Sequence, residues 1–258
     1  MTELIILCLA AFLTSLLTFF SGFGLGTILM PVFAVFFPLE IAIALTGVVH
    51  FLNNVFKLSL LGMKANKGVV LRFGIPAFLA AFAGAWLLLQ MTEMKPLYEY
   101  SIGNRVFSIT PLKLIISVLL MFFAIMEGTP FLKNVQLGKD NLFIGGLLSG
   151  FFGGLSGHQG ALRSAFLIKT NLSKEAFIAT GTVIACMVDL SRLGVYITRF
   201  SKAGLNENIV LVIAATVSAF MGAYIGNRLL KNVMLITIQV IVTGMIFILA
   251  LALGFGIV

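Results

Sequence analysis

The stretch SGFGLGTILMP, residues 21–31, decides how this chain folds. Gly22, Gly24 and Gly26 stand at alternate positions, an apolar run closed by Pro31 follows, and strongly apolar sequence lies on both sides. A continuous membrane helix has no use for that composition, because glycine weakens a helix and proline removes one of its donors. A break does have a use for it. Bare backbone amides and carbonyls become available, and they are tolerated at membrane depth only against protein or a watery cavity. The N-terminus of a short helix after the break would present unpaired amides and a partial positive charge, which suits an anion.

The rest of the sequence sets the scale. Of 258 residues, 60% are hydrophobic and 10% charged, and the mean hydropathy is +1.13. That is far from the mix of a soluble domain, so an integral membrane protein is expected. Apolar runs fall at roughly 4–20, 27–37, 41–61, 71–90, 111–126, 141–155, 164–168, 176–197, 208–227 and 233–257. Several are long enough to cross ~30 Å of hydrocarbon as helices; the short ones need another explanation. The first, LIILCLAAFLTSLLTFF, is flanked by Glu3 without Lys or Arg, and no small-residue cleavage site follows, so it reads as a retained helix. The longest connections, about 91–110 and 127–140, leave no room for a soluble domain.

Seventeen Lys and Arg against nine Asp and Glu give a net charge of +8. In a membrane protein that excess reads as cytoplasmic loops, not as a nucleic-acid surface. Lys64, Lys67 and Arg72 place their loop inside, 91–110 outside and 127–140 inside again. Further on, Arg199 and Lys202 compete with Arg228 and Lys231. Cys8 and Cys186 both lie in apolar runs and read as buried thiols, not a disulfide.

The chain is written twice. FFSGFGLG at 19–26 meets FFGGLSGHQG at 151–160, EIAIALTGVV at 40–49 meets KEAFIATGTV at 174–183, and AFAGAW at 81–86 meets AFMGAY at 219–224. The order is the same and the offsets are similar. Two homologous repeats, 1–130 and 131–258, are therefore expected, each with a long helix, a glycine break with a short segment, and three more helices. The fold class is an all-α polytopic bundle of about eight spanning helices plus two short broken segments. Five segments per half give inverted repeats if each crosses the bilayer and parallel ones if the short segments are re-entrant; inversion is favoured. Duplicated breaks of this kind point to a transporter whose site lies where the halves meet.

Other readings of the glycines are weaker. GFGLGT lacks the third glycine of the dinucleotide fingerprint and no βαβ unit surrounds it, while Gly138-Lys139 lacks the upstream glycine of a phosphate loop. Close helix packing fits the Gly22–Gly26 spacing and suits Gly84 and Gly222.

Ionisable groups in membrane runs are functional candidates by default. His50, Asn53, Asn54 and Lys57 share one face of a helix, at i, i+3, i+4 and i+7. In the second half Thr182, Cys186, Asp189 and Arg192 lie near the equivalent face, with Asp189 and Arg192 spaced to pair. Lys57 and Arg192 would couple or gate transport with Asp189, or else reach the interface by snorkelling. The second break, GLSGHQGALRS, adds His158 and Gln159 and then Arg163, whose planar fork of donors suits carboxylate, sulfonate or phosphate oxygens. Arg163 also reads as an interfacial anchor, since Lys169 follows. His50 and His158 are candidate proton relays or packing side chains. No HxxxH or HExxH spacing exists, so neither a metal site nor a metalloenzyme is expected. Trp86 reads as an interface or packing aromatic.

The glycine break closed by Pro31, AIALTG opening the next helix, the AFAGAW helix and the second copy over 151–224 together resemble the sulfite exporter TauE/SafE family of bacterial membrane transporters. The resemblance covers nearly the whole chain. It implies transport of sulfur-containing or other small organic anions, along a path lined by the breaks at 22–26 and 153–160 and the helices beginning at Ala42 and Ala176. His158, Gln159 and Arg163 depart from the family's pattern, as does the lack of a proline matching Pro31, and this suggests a subgroup with its own ligand.

The expected function is a secondary transporter of a small, sulfur-bearing anion, working by alternating access in the bacterial inner membrane. Gly22, Gly24, Gly26, His50, Asn53, Asn54, Gly157, His158, Gln159 and Arg163 would form the substrate site, and Lys57, Asp189 and Arg192 would couple or gate it. The expected partners are the anion, the lipid bilayer, a coupling proton or sodium ion and a second copy in a homodimer, with no nucleic acid and no cofactor. A channel or facilitator and a transporter of a non-sulfur organic anion are the alternatives. No catalytic residues are assigned, because no nucleophile stands with a base.

Overall fold

The computed structural model describes residues 2–19, 25–61, 64–128, 141–200, 208–229 and 235–257. Gly22 and Gly24 lie outside the described residues, as do Lys202, Lys231 and the side chains of Lys169 and Arg199.

The apolar runs are helices: α1 Thr2–Thr18, α2 Leu25–Ala34, α3 Leu39–Leu61, α4 Lys67–Thr92, α5 Pro111–Gly128, α6 Leu142–Ser156, α7 Gly160–Leu167, α8 Lys174–Phe200, α9 Ile209–Leu229 and α10 Leu235–Gly254. Acidic side chains mark several starts, with Glu3, Glu40 and Glu175 in the first turns of α1, α3 and α8, where the helix dipole favours them. Asn66 caps α4 by accepting from the Val69 amide. A π-helical turn at Val70–Gly74 passes the chain into Pro76. Proline has no amide to donate, and the wider turn absorbs that loss.

Among the described residues four helices are long and apolar enough to cross a membrane: Leu39–Leu61, Lys67–Thr92, Lys174–Ile197 and Ile209–Arg228. Thr2–Thr18, Pro111–Met126 and Leu142–Ser156 are apolar but shorter. Outward faces carry Leu9, Leu79, Phe82, Trp86, Phe143, Ile197 and Ile213, all exposed. An apolar exterior this continuous is suited to lipid.

One element departs from the all-α expectation. Tyr98–Ile102 and Arg105–Ile109 form an antiparallel hairpin, β1 and β2, in the register Tyr98↔Ile109 and Ile102↔Arg105. The cause is local: aromatic and β-branched residues alternate with polar ones about Gly103-Asn104, a two-residue hairpin signal. Tyr98, Tyr100 and Phe107 stack, and Tyr100 donates to the Phe255 carbonyl at 2.7 Å, tying the hairpin to the end of α10.

Glycine contacts fix how the helices run. A Cβ built on Gly146, Gly150 or Gly154 would fall 2.1–2.3 Å from the carbonyls of Phe73, Ala77 and Ala81 in turn, so α4 and α6 lie parallel with backbones touching. Gly222 and Gly226 meet the carbonyls of Phe12 and Leu16, so α1 and α9 are parallel too. In contrast, Gly47 meets Arg192 while His50 meets Asp189, and further along Asn66 N donates to Thr180 Oγ1. Hence α3 and α8 are antiparallel. So are α5 and α10, where Ser117 donates to the Ala250 carbonyl and Lys113 to that of Gly256. Gly84 and Gly222 serve close packing, each pressing on a carbonyl of α6 or α1.

Candidate functional site

Helix α3 and helix α8 cross the middle of the molecule and bring their polar stripes together. His50, Asn53, Asn54 and Lys57 are all buried, at 8%, 0%, 5% and 5% exposure. Across the contact, Asp189 and Arg192 are fully buried. Neither Lys57 nor Arg192 reaches out to an interface.

Asp189 is the centre. Its Oδ2 lies 2.5 Å from His50 Nδ1, and its Oδ1 accepts from Arg192 Nε at 3.0 Å and from Gln159 Nε2 at 3.4 Å. To serve the carboxylate, Nδ1 must carry its hydrogen, which in the neutral ring leaves Nε2 to accept from Asn54 Nδ2 at 3.3 Å. Arg163 Nη1 donates to Gln159 Oε1 at 3.3 Å, so a chain of polar contacts joins Arg163, Gln159, Asp189 and His50 across both halves of the sequence.

The second break explains how Arg163 arrives there. Helix α6 ends at Ser156, and Gly157 takes a left-handed conformation, φ +82°, with its amide bonded to the Gly153 carbonyl. The chain reverses through His158 and Gln159 into α7, placing Arg163 in its first turns with 3% exposure. Ser149 donates to the Gln159 carbonyl and pins the turn against α6. The breaks also touch: a Cβ on Gly26 would fall 3.4 Å from the Gly157 carbonyl and 3.7 Å from His50 Cδ2.

A small pocket lies beside this network, lined by Thr18, Phe19, Leu25, His50, Asn54, Lys57, Arg163 and Thr182. It sits toward the end of the bundle where Asn66 meets Thr180, and the Lys57 ammonium stands 5.5 Å over the Phe19 ring. Of the residues expected from sequence, His50, Asn54, Lys57 and Arg163 line it. Gly26 and Gly157 form the junction beside it, and Gln159, Asp189 and Arg192 form the network behind it.

Two expected site residues are placed elsewhere. Asn53 faces α1, where its Oδ1 accepts from Ser15 at 3.2 Å. His158 lies with its ring parallel to Phe123, centroids 5.9 Å apart, and its Nδ1 beside Ser156 Oγ at 3.2 Å. Thr18, Phe19, Leu25 and Thr182 were not read as site residues. Thr182 has a sequence signal, following the Thr180-Gly181 pair directly on the face of Asp189; Thr18 and Phe19 look like the ordinary end of an apolar helix.

Among the described residues no group of His, Cys, Asp and Glu could hold a metal ion, and Cys8 and Cys186 are free thiols, each half-buried. The buried charges nonetheless have a clear sign. Lys57, Arg163 and Arg192 are three buried basic side chains, and Asp189 is the single buried acid among the described residues. Such an arrangement is built for an anion.

Comparison with curated proteins and with solved structures gave no significant match. The profile of the sulfite exporter TauE/SafE family matches residues 7–253, nearly the whole chain. The chain therefore belongs to the sulfite exporter TauE/SafE family of membrane transporters.

Proposed function

We propose that the protein is a secondary transporter of a small sulfur-bearing anion, sulfite or a sulfonate, which binds in the cavity between Lys57 and Arg163 and crosses by alternating access. The observation that carries this reading is the charge count. Two basic side chains line the cavity while the one buried carboxylate is already engaged by His50 and Arg192. A tetrahedral or pyramidal oxyanion would bring negative charge between the two cations and accept from the guanidinium fork.

The repeat organisation supports alternating access. α4 packs on α6 as α1 packs on α9, and the corresponding helices α3 and α8, like α5 and α10, meet antiparallel. Two halves related by an axis in the membrane plane give this pattern, which favours inverted repeats. α2 and α7, about 15 and 12 Å long, are shorter than ~30 Å of hydrocarbon, and inverted repeats have them run in opposite directions across the bilayer in the two halves. With Lys64, Lys67 and Arg72 taken as cytoplasmic, the cavity opens toward the inside of a bacterial inner membrane. Asp189 and His50 form the group suited to a coupling proton.

Replacing Arg163 by Ala is expected to raise the KM for sulfite about a hundredfold in proteoliposomes, the ~3 kcal/mol lost with one partner of a buried charged contact. The melting temperature should stay within a few degrees. Unchanged uptake would sink the assignment. A thermal-shift series of sulfite, sulfate, taurine, sulfoacetate and simple carboxylates identifies the anion.

A further inference from the structure

Two arginines flank the His50–Asp189 contact, and each presses on the glycine of a Thr-Gly pair. A Cβ on Gly47 would come 3.3 Å from Arg192 Cζ, and one on Gly181 would come 3.4 Å from Arg163 Nε. Because α3 and α8 are antiparallel, these glycines lie on opposite sides of His50 and Asp189, about 16 Å apart along the helix at 1.5 Å per residue. The cavity with Lys57 and Arg163 lies on the Gly181 side.

The Gly47 side holds buried polar atoms without hydrogen-bond partners. Arg192 is fully buried, and its Nε is taken by Asp189. Its Nη2 lies 2.8 Å from the same carboxylate oxygen, close enough for an ion pair but outside hydrogen-bond geometry, and its Nη1 has no partner. Nη1 abuts the second break: a Cβ on Gly157 would fall 2.7 Å from it. The next residue, His158, is 2% exposed with Nε2 unpartnered, and the Thr46 hydroxyl beside Gly47 is buried and unpartnered as well. The first amides of α7 follow directly, without helical acceptors of their own. Guanidinium, hydroxyl and helix-start amides out of water ask for a ligand with several acceptor oxygens, and the imidazole joins them as a donor when Nε2 carries the ring hydrogen.

We propose that Arg192, Gly157, His158 and Thr46 form a second station for the transported anion, beyond the His50–Asp189 contact, and that Asp189 exchanges guanidinium partners as the anion passes. This rests on the transport reading above. With the anion at Lys57 and Arg163, Asp189 keeps Arg192, the pairing in this structure. With the anion at Arg192, the carboxylate turns toward Arg163, to which Gln159 already links it by 3.4 and 3.3 Å contacts. Each buried guanidinium then has one negative partner at both ends of the passage.

The test is sulfite exchange in proteoliposomes holding the protein in one orientation, with KM measured separately at each face. Arg192→Lys and Arg163→Lys keep a positive charge for Asp189 but lose the planar fork. Arg192→Lys is expected to raise KM at least tenfold at the face on the Gly47 side and less than threefold at the other; Arg163→Lys should do the reverse. Should Arg192→Lys not fold, His158→Phe, which keeps the stack on Phe123, is expected to raise KM severalfold at the same face alone. Equal effects at both faces, or none at the Gly47 side, overturn the second station while a one-sided Arg163→Lys effect keeps the transport reading intact. Absence of sulfite exchange by the unaltered protein overturns both.

Discussion

Asp189→Ala is expected to cost about 3–5 kcal/mol, the range for removing one partner of a buried ion pair, and so to leave little folded protein. The reason is Arg192. It is the largest fully buried side chain described, it is held between Gly47 and Gly157, and its one hydrogen-bonded acceptor is Asp189. His50 loses its carboxylate in the same step. Melting in detergent, followed by fluorescence or light scattering, reads the loss directly. A paired change, Asp189→Leu with Arg192→Met, should recover most of the stability, because removing both charges also removes their desolvation cost. Exchange of sulfite should remain absent in the pair. Asp189→Ala melting like the unaltered protein would mean that buried Arg192 does not depend on Asp189 for its counter-charge.

Much of the fold was legible because membrane insertion writes itself in long apolar runs, and ten such runs became ten helices with boundaries shifted by a few residues. The pairing of Asp189 with Arg192 followed from a spacing of three on one helix. Contacts between distant helices were less accessible. Asn53 shares the polar stripe of α3 with His50 and Lys57, yet the stripe is wide enough to touch both α1 and α8, and Asn53 sits on the α1 side. His158 stands in a glycine-rich turn that reads as a ligand cradle, and the turn lays its ring along Phe123, outside the cavity of Lys57 and Arg163. Phe19 and Thr18 became cavity residues only because α1 ends there, a fact of three-dimensional level that no local pattern carries. The hairpin is written in YEYSIGNRVFSI as alternation about Gly103-Asn104, a period-two pattern that apolar runs do not carry.

Gly150→Ala is the smallest change expected to have one of the largest effects. The added methyl would sit 2.1 Å from the Ala77 carbonyl oxygen and 2.5 Å from its Cα. These are backbone atoms, so no substitution at residue 77 and no rotamer change relieves the collision. The helices must separate, and the neighbouring contacts go with it: Gly146 on Phe73, Gly154 on Ala81 and Gly84 on Phe151 all depend on the same approach. In lipid there is no hydrophobic gain to compensate, since helix association rests on this packing. A loss of about 3 kcal/mol, the upper end for overpacking, is expected, together with loss of exchange because α6 carries the turn that positions Gln159 and Arg163. Gly194→Ala is the control. It adds the same methyl to a helix, but nothing lies within 4 Å of the new atom, so it should be neutral or stabilising by up to about 1 kcal/mol. Equal melting temperatures for the two variants would show that α4 and α6 do not meet backbone to backbone, and the level of Arg163 against Lys57 would lose its support.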